Sequence, residues 1–242
     1  MNEVTGSPPQ KRSASASGIE DVTCPRKFAF RNLLPKGERA SPSDAALFGK
    51  RLHKIAEDYH KEAKPFDPKS PEGKAFLKGL HFNPPPMQWK VEGYFKLDVM
   101  GIEFRGYKDL ETFGRGIDHK TSSAPLKAAE SLEPESNAQG LIYALDGMHR
   151  YDTSRYSFEW IFYPSPKAPK TGPGSEVQRV VHEYDADSII DQFWEHCYKP
   201  ALQIAFIRAN WTGDPMDFRG NYSYCHVYGG CPYRVNCGVI VE

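Results

Sequence analysis

Three consecutive strand patterns between residues 89 and 121 limit what this chain can fold into more than any other stretch. Trp89, Val91, Phe95, Leu97 and Val99 alternate with Lys90, Glu92, Lys96 and Asp98. Alternation of apolar and polar residues with period two describes a strand with one buried face. Gly101 turns the chain into a second strand pattern, Ile102–Leu110, and the Gly114–Gly116 region turns it into a third, near Arg115–Thr121. An antiparallel meander is therefore expected. Its second and third strands carry Asp109, Asp118 and Lys120. Asp118 and Lys120 are two apart and share a face, and the hairpin brings Asp109 beside them. Two carboxylates can hold a hard divalent cation, and a lysine next to it can position a water or stabilise a phosphate that is gaining charge. That chemistry is phosphodiester cleavage. Asp, Gly and Lys are also common in turns, and so short a motif arises by chance in many chains.

The flanking segments read as helices that could complete such a site. Residues 43–63, capped by Ser43 or Asp44, place Phe48, Leu52, Ile55, Ala56 and Tyr59 on one stripe. Gly49, His53 and Glu57 lie beside it. Gly49 would admit another backbone or a substrate strand, and His53 could reach a metal, although a lone helical His is more often an ordinary surface or core residue. Pro134 suits the first turn of a helix running to about Arg150, on which Gln139 and Tyr143 share a face. Tyr143 could equally pack among its apolar neighbours. Arg155–Tyr163 and Val177–Tyr184 read as further strands, and Asp187–Ala209 as a long helix kinked at Pro200.

Near the N-terminus, residues 1–18 are small, polar and rich in Ser and Pro, which predicts a disordered tail preceding one ordered domain over 19–242. Ser17 would cap a helix over Ile19–Arg31. Its basic residues, Arg26 and Lys27 among them, alternate with Phe28 and Phe30, a pattern that suits a nucleic-acid backbone or simply a solvated basic face. Lys50, Arg51 and Lys54 could extend such a path. The whole chain of 242 residues carries 31 basic and 31 acidic side chains, which argues against a protein that coats nucleic acid by charge alone and leaves room for a local basic groove. No run is long enough to span a membrane and no signal-peptide core is evident, which gives a cytoplasmic expectation.

The end of the chain changes character. Residues 210–242 are rich in Tyr, Gly and Asn and hold Cys225, Cys231 and Cys237 with five residues between neighbours. A loop-rich segment of this kind gains order from a bound metal or cluster. With Cys24 there are four thiols, the number an iron–sulfur cluster needs. Zinc and buried free thiols are the other readings. Cys197, between Trp194 and Tyr198 in a helix pattern, reads as a core residue.

The order of these motifs resembles the RecB-like branch of the PD-(D/E)XK nucleases. The motifs are Cys24-Pro25-Arg26-Lys27-Phe28, Gly49-x3-His53, Gly106-x2-Asp109, Asp118-x-Lys120, Gln139-x3-Tyr143 and three late cysteines. The likeness is greatest to members with an iron–sulfur cluster, the AddB nuclease domain and the CRISPR-associated Cas-four exonucleases. The resemblance spans roughly 17–242. It implies an α/β fold, a mixed central β-sheet flanked by helices. It implies His53, Asp109, Asp118 and the carbonyl of His119 as ligands of Mn²⁺ or Mg²⁺, with Lys120 the catalytic lysine. Gln139 and Tyr143 would lie near the DNA strand. Cys24, Cys225, Cys231 and Cys237 would hold a cluster of the 4Fe–4S type. Relatives often space the last three as C-x2-C-x5-C, unlike the two equal gaps here. The implied activity is DNA exonuclease, at ends or on single strands. Its implied setting is recombination, repair, phage DNA metabolism or CRISPR spacer acquisition, with homo-oligomers or proteins of those systems as partners. A fold retained for DNA binding or adaptor duty without turnover is the rival reading.

Overall fold

The structure is a computed structural model and describes residues 12–225 and 231–237. The strands are β1 (Ser13–Ala14), β2 (Lys90–Val99), β3 (Ile102–Thr112), β4 (Arg115–Ser122), β5 (Arg155–Pro164) and β6 (Gln178–Asp185). The helices are α1 (Ala16–Val22), α2 (Pro25–Asn32), α3 (Asp44–Glu62), α4 (Pro71–Lys78), α5 (Pro125–Glu130), α6 (Ala138–Tyr151), α7 (Ala186–Phe193) and α8 (Lys199–Ala209). The strands form a mixed six-stranded sheet in the order β1-β3-β4-β5-β6, with β2 also paired to β3. This is the mixed sheet flanked by helices that the sequence predicts. The chain sorts into two compact units. One comprises Met1–Ser41, Lys96–Arg105 and Phe193–Glu242, and the other Pro42–Phe95 and Gly106–Gln192.

The second unit carries the meander. β3 and β4 are antiparallel, with Leu110 opposite Ile117 and Thr112 opposite Arg115. The turn between them is tight because Gly114 adopts φ +66°, a left-handed conformation that costs glycine little. β4 and β5 are parallel, with Asp118 opposite Trp160 and Lys120 opposite Phe162, and β5 and β6 are antiparallel. A parallel pair needs a crossover, which α5 and α6 supply. The α3 helix starts at Ser43, whose hydroxyl accepts from the Ala46 amide, and ends at Ala63 in the left-handed region. Its apolar stripe, Phe48, Leu52 and Ala56, packs with Phe76, Leu110, Ile117, Ile161 and Tyr163 in one core. On the side of the sheet that faces α6, Tyr143 and Trp160 pack edge-on against Phe158. The helix over 134–150 begins later than expected. Pro134–Ser136 forms a 3₁₀ turn, and Asn137 caps α6 by accepting from the Gly140 amide.

In the first unit, β1 runs parallel to the start of β3, Ser13 opposite Glu103. Ordered structure thus begins within the stretch expected to be a tail; residues 1–11 lie outside the described residues. The single helix expected over 19–31 is two. Ser15, not Ser17, caps α1, and the chain breaks at Cys24, which is extended at φ −126°, before Pro25 opens α2. Proline disfavours helical geometry in the residue before it and suits the first position of the next helix. Ile19, Val22, Phe28, Phe104, Phe193, Ile204 and Ile207 are buried here. In place of one continuous helix, Trp194–Tyr198 forms a π-helical segment that leads into α8, whose first turn holds Pro200. A wider turn accommodates the amide that proline lacks.

Candidate active site

Four elements of the second unit deliver the predicted residues to one place: α3 gives His53, β3 gives Asp109, β4 gives Asp118 to Lys120, and α6 gives Gln139. His53 Nδ1 lies 3.3 Å from Asp109 Oδ2. The same carboxylate oxygen accepts the backbone amide of His119 at 2.7 Å, which ties β3 to β4 beyond their last paired residues. Lys120 Nζ lies 2.9 Å from Asp118 Oδ2. Gln139 donates its amide to Asp118 Oδ1 at 2.6 Å. Asp118 is therefore held from both sides while its side chain is only 4% exposed; the Lys120 side chain is 40% exposed.

The electrostatics follow from crowding. Burial pushes the Asp118 carboxyl above its usual range; Lys120 opposes the shift and Asp109 adds to it. Burial also works against the charge of Asp109, but the bond and charge of His53 outweigh it and lower its pKa. For His53, burial disfavours the imidazolium, yet Asp109 and then Asp118 raise it to about 9. The carboxylates thus draw a positive charge to the place where His53 stands. His119 is different: its ring is buried and burial depresses it to about 3. Asn83 Oδ1 accepts from His119 Nε2 at 2.9 Å and from His60 Nε2 at 3.1 Å, so the His119 ring is fixed behind the site and neutral.

One participant was not foreseen. Glu92 offers a carboxylate oxygen that, with ligand atoms of His53 and Asp109, forms a group lying within 4.8 Å of one another. The sequence places Glu92 on the polar face of β2 and gives no further sign. Its backbone is the signal, with φ +49° in mid-strand, a conformation that re-aims a side chain and that gathers at functional sites. Burial and then Asp109 raise its pKa, as expected for a carboxylate joining others.

The remaining predicted residues are distributed as follows. Tyr143 donates its hydroxyl to the Tyr107 carbonyl at 2.7 Å and so holds the strand that carries Asp109. A Cβ at Gly49 would lie 3.1 Å from Thr121 Oγ1, so β4 approaches α3 there. Arg51 pairs with Glu72, and Lys54 with Glu57 and Asp58. In the first unit, Arg26 bonds the Phe218 carbonyl at 2.9 Å and the Tyr222 hydroxyl at 3.1 Å, and Lys27 pairs with Asp21 at 3.2 Å. The partners of these cations are intramolecular. Cys24 Sγ accepts from the Asn221 amide at 3.3 Å, and the Cys231 amide donates to the Cys225 carbonyl at 2.9 Å. Burial raises the pKa of Cys225 and Cys237; Arg26 opposes the shift at Cys237, and Cys231 and Cys24 add to it at both. Cys197 is fully buried. No helix among the described residues is long and apolar enough to cross a membrane.

No protein-family model matches the chain and no curated protein matches it by sequence. Among solved structures it is similar to one from Eubacterium rectale named "Putative exonuclease", with a TM-score of 0.54 and 12% identity over 87% of this chain and 88% of that one. The alkaline exonuclease LHK-Exo of Laribacter hongkongensis also aligns, at a TM-score of 0.42 and 12% identity, over 83% of this chain and 92% of that one. What the chain shares with the Eubacterium protein is its fold.

Proposed function

We propose that this chain is a Mn²⁺- or Mg²⁺-dependent deoxyribonuclease that hydrolyses phosphodiester bonds at DNA ends or in single strands. The observation that carries the reading is the convergence of His53, Glu92 and Asp109 within 4.8 Å, beside the Asp118–Lys120 pair. The donor set fits a divalent cation. One imidazole with several carboxylates is a mixed nitrogen and oxygen site, suited to Mn²⁺ and tolerant of Mg²⁺. His53, Glu92, Asp109 and Asp118 would hold the ion, with the His119 carbonyl as a further ligand. Such an ion supplies an activated water and offsets charge on the scissile phosphate. The chain supplies the rest. Gln139 occupies one oxygen of Asp118 and leaves the other toward Lys120. Lys120 keeps its ammonium at the mouth of the site, where it holds the attacking water and stabilises negative charge in the transition state.

The finer reading is a RecB-like PD-(D/E)XK exonuclease of the iron–sulfur branch, with Cys24, Cys225, Cys231 and Cys237 holding a structural 4Fe–4S cluster. The return of the chain end to the N-terminal cysteine supports it, since the Asn221 amide donates to Cys24 Sγ and the Cys231 amide to the Cys225 carbonyl. Arg26 bonds Cys237 and would offset thiolate charge there. DNA recombination, repair, phage DNA metabolism or CRISPR adaptation would be its setting.

The test is degradation of end-labelled single- and double-stranded DNA with Mn²⁺ by wild type and Lys120→Ala. Loss of cleavage in a variant that melts like wild type is the expected result. Equal cleavage by both would reject this site. Metal-loaded protein that binds DNA and never cleaves it would make the chain a binding or adaptor protein. A closed circular substrate separates endonuclease from exonuclease action. Anaerobically purified protein should hold about four irons and matching sulfide; zinc without iron would replace the cluster.

A further inference from the structure

We infer that Tyr94 and Tyr107 form a base-stacking platform that receives an unpaired nucleotide strand one to two nucleotides from the scissile phosphate. This rests on the nuclease reading above and narrows its substrate to single strands or frayed ends.

The two rings stand on the exposed face of the sheet, 48% and 58% exposed, where a strand ordinarily carries polar side chains. Their centroids are 5.2 Å apart and their planes are tilted by 55°, so neither ring covers the face of the other. Each follows a site residue at strand spacing. Tyr107 is two residues from Asp109 on β3, and Tyr94 is two residues from Glu92 on β2. Alternate residues of a regular strand share a face, and on β2 Glu92 and Tyr94 are both exposed while Gly93 between them is buried. Lys108, between Tyr107 and Asp109, is wholly buried and turned toward Asp146 of α6, whereas Tyr107 is exposed. The aromatic pair therefore adjoins the pair of candidate ligands on the same two strands, about 7 Å away along the strands. A stacked strand covers that distance in about two steps of roughly 3.4 Å, and an extended one in about one.

The chemistry selects the occupant. Tyrosine offers a flat face without a fixed hydrogen-bond pattern, so it accepts any base but needs that base to expose its own face. In a duplex those faces are covered by neighbouring base pairs. The platform is also held in place, since Tyr143 bonds the Tyr107 carbonyl at 2.7 Å. Stacking adds affinity that salt does not screen.

The experiment measures binding of single-stranded and blunt duplex oligonucleotides, with Ca²⁺ in place of Mn²⁺ to prevent cleavage. It compares wild type with Tyr94→Ala/Tyr107→Ala and Tyr94→Phe/Tyr107→Phe. The alanine variant should bind single strands about tenfold more weakly, with duplex binding changed less than about twofold. The phenylalanine variant should match wild type. Removing the bases of the last three nucleotides should weaken wild-type binding about as much as the alanine variant does. Unchanged single-strand affinity in the alanine variant, or tight wild-type binding of the baseless end, would overturn the platform. So would lost self-association in the alanine variant with DNA binding intact, which would assign the tyrosines to contact between copies. The two readings fail separately. Cleavage by wild type with no tyrosine effect rejects only the platform, and a tyrosine effect without Mn²⁺-dependent cleavage rejects only the nuclease.

Discussion

Replacing Lys108 by methionine tests the framework behind the candidate site. The Lys108 side chain is 0% exposed and touches Glu111, also 0% exposed, and lies 2.8 Å from Asp146. Arg150 lies 2.9 Å from Glu111 and 2.7 Å from Asp146, and Tyr156 donates its hydroxyl to Glu111 at 3.2 Å. Two cations, the buried Lys108 and the partly exposed Arg150, therefore balance two buried carboxylates. The network joins β3, which carries Asp109, to α6, which carries Gln139 and Tyr143. Methionine fills nearly the same volume, so no large cavity opens. What remains is two buried carboxylates sharing one arginine. Breaking a buried pair on one side costs about 3–5 kcal/mol, because the abandoned charge keeps its desolvation penalty. At about 2–4 °C per kcal/mol for a chain of this size, the melting temperature should fall by about 6–20 °C. Thermal unfolding followed by circular dichroism reads it. Adding Glu111→Gln restores the charge balance and should recover at least half of the loss. A single variant melting within about 2 °C of wild type would refute the argument that the lysine charge is needed there.

Three further outcomes follow from the same geometry. Glu92→Gln should weaken Mn²⁺ binding by about tenfold or more in calorimetry, since one charged donor is lost; unchanged affinity would remove Glu92 from the ligand set. Gly147→Ala should destabilise, although alanine usually improves a helix interior by about 1 kcal/mol. A Cβ there would lie 2.0 Å from the Tyr156 ring, and overpacking costs about 1–3 kcal/mol; a raised melting temperature would contradict it. Asn83→Ala should cost about 1–3 kcal/mol in urea unfolding. Its amide donates to the Tyr163 hydroxyl and the Gly79 carbonyl, and its oxygen accepts from two imidazoles.

The sequence by itself determined what short-range sterics and periodicity control. Alternation at 89–99 defines β2, Ser43 caps α3, and Gly114 turns β3 into β4, because each needs only neighbouring residues. The spacing of Asp118 and Lys120 fixes their common face in the same way. The break before Pro25 has an equally local cause, which the expectation of one helix over 19–31 passed over. The mixed sheet was legible because the motif order resembles a known nuclease branch, not from periodicity alone. The tertiary structure decided the rest. Glu92 reads as an ordinary solvent-facing carboxylate until its backbone is seen at φ +49°. Lys108 alternates like a polar strand residue, yet partners from α6 bury it completely. Arg26 reads as a free cation beside aromatics, but Phe218 and Tyr222 take its hydrogen bonds. In each case the side chain's chemistry is written locally, while its burial and its partner come from residues far along the chain. Those partners set whether a charge meets water, a counter-ion or a metal, and so only the folded chain assigns its role.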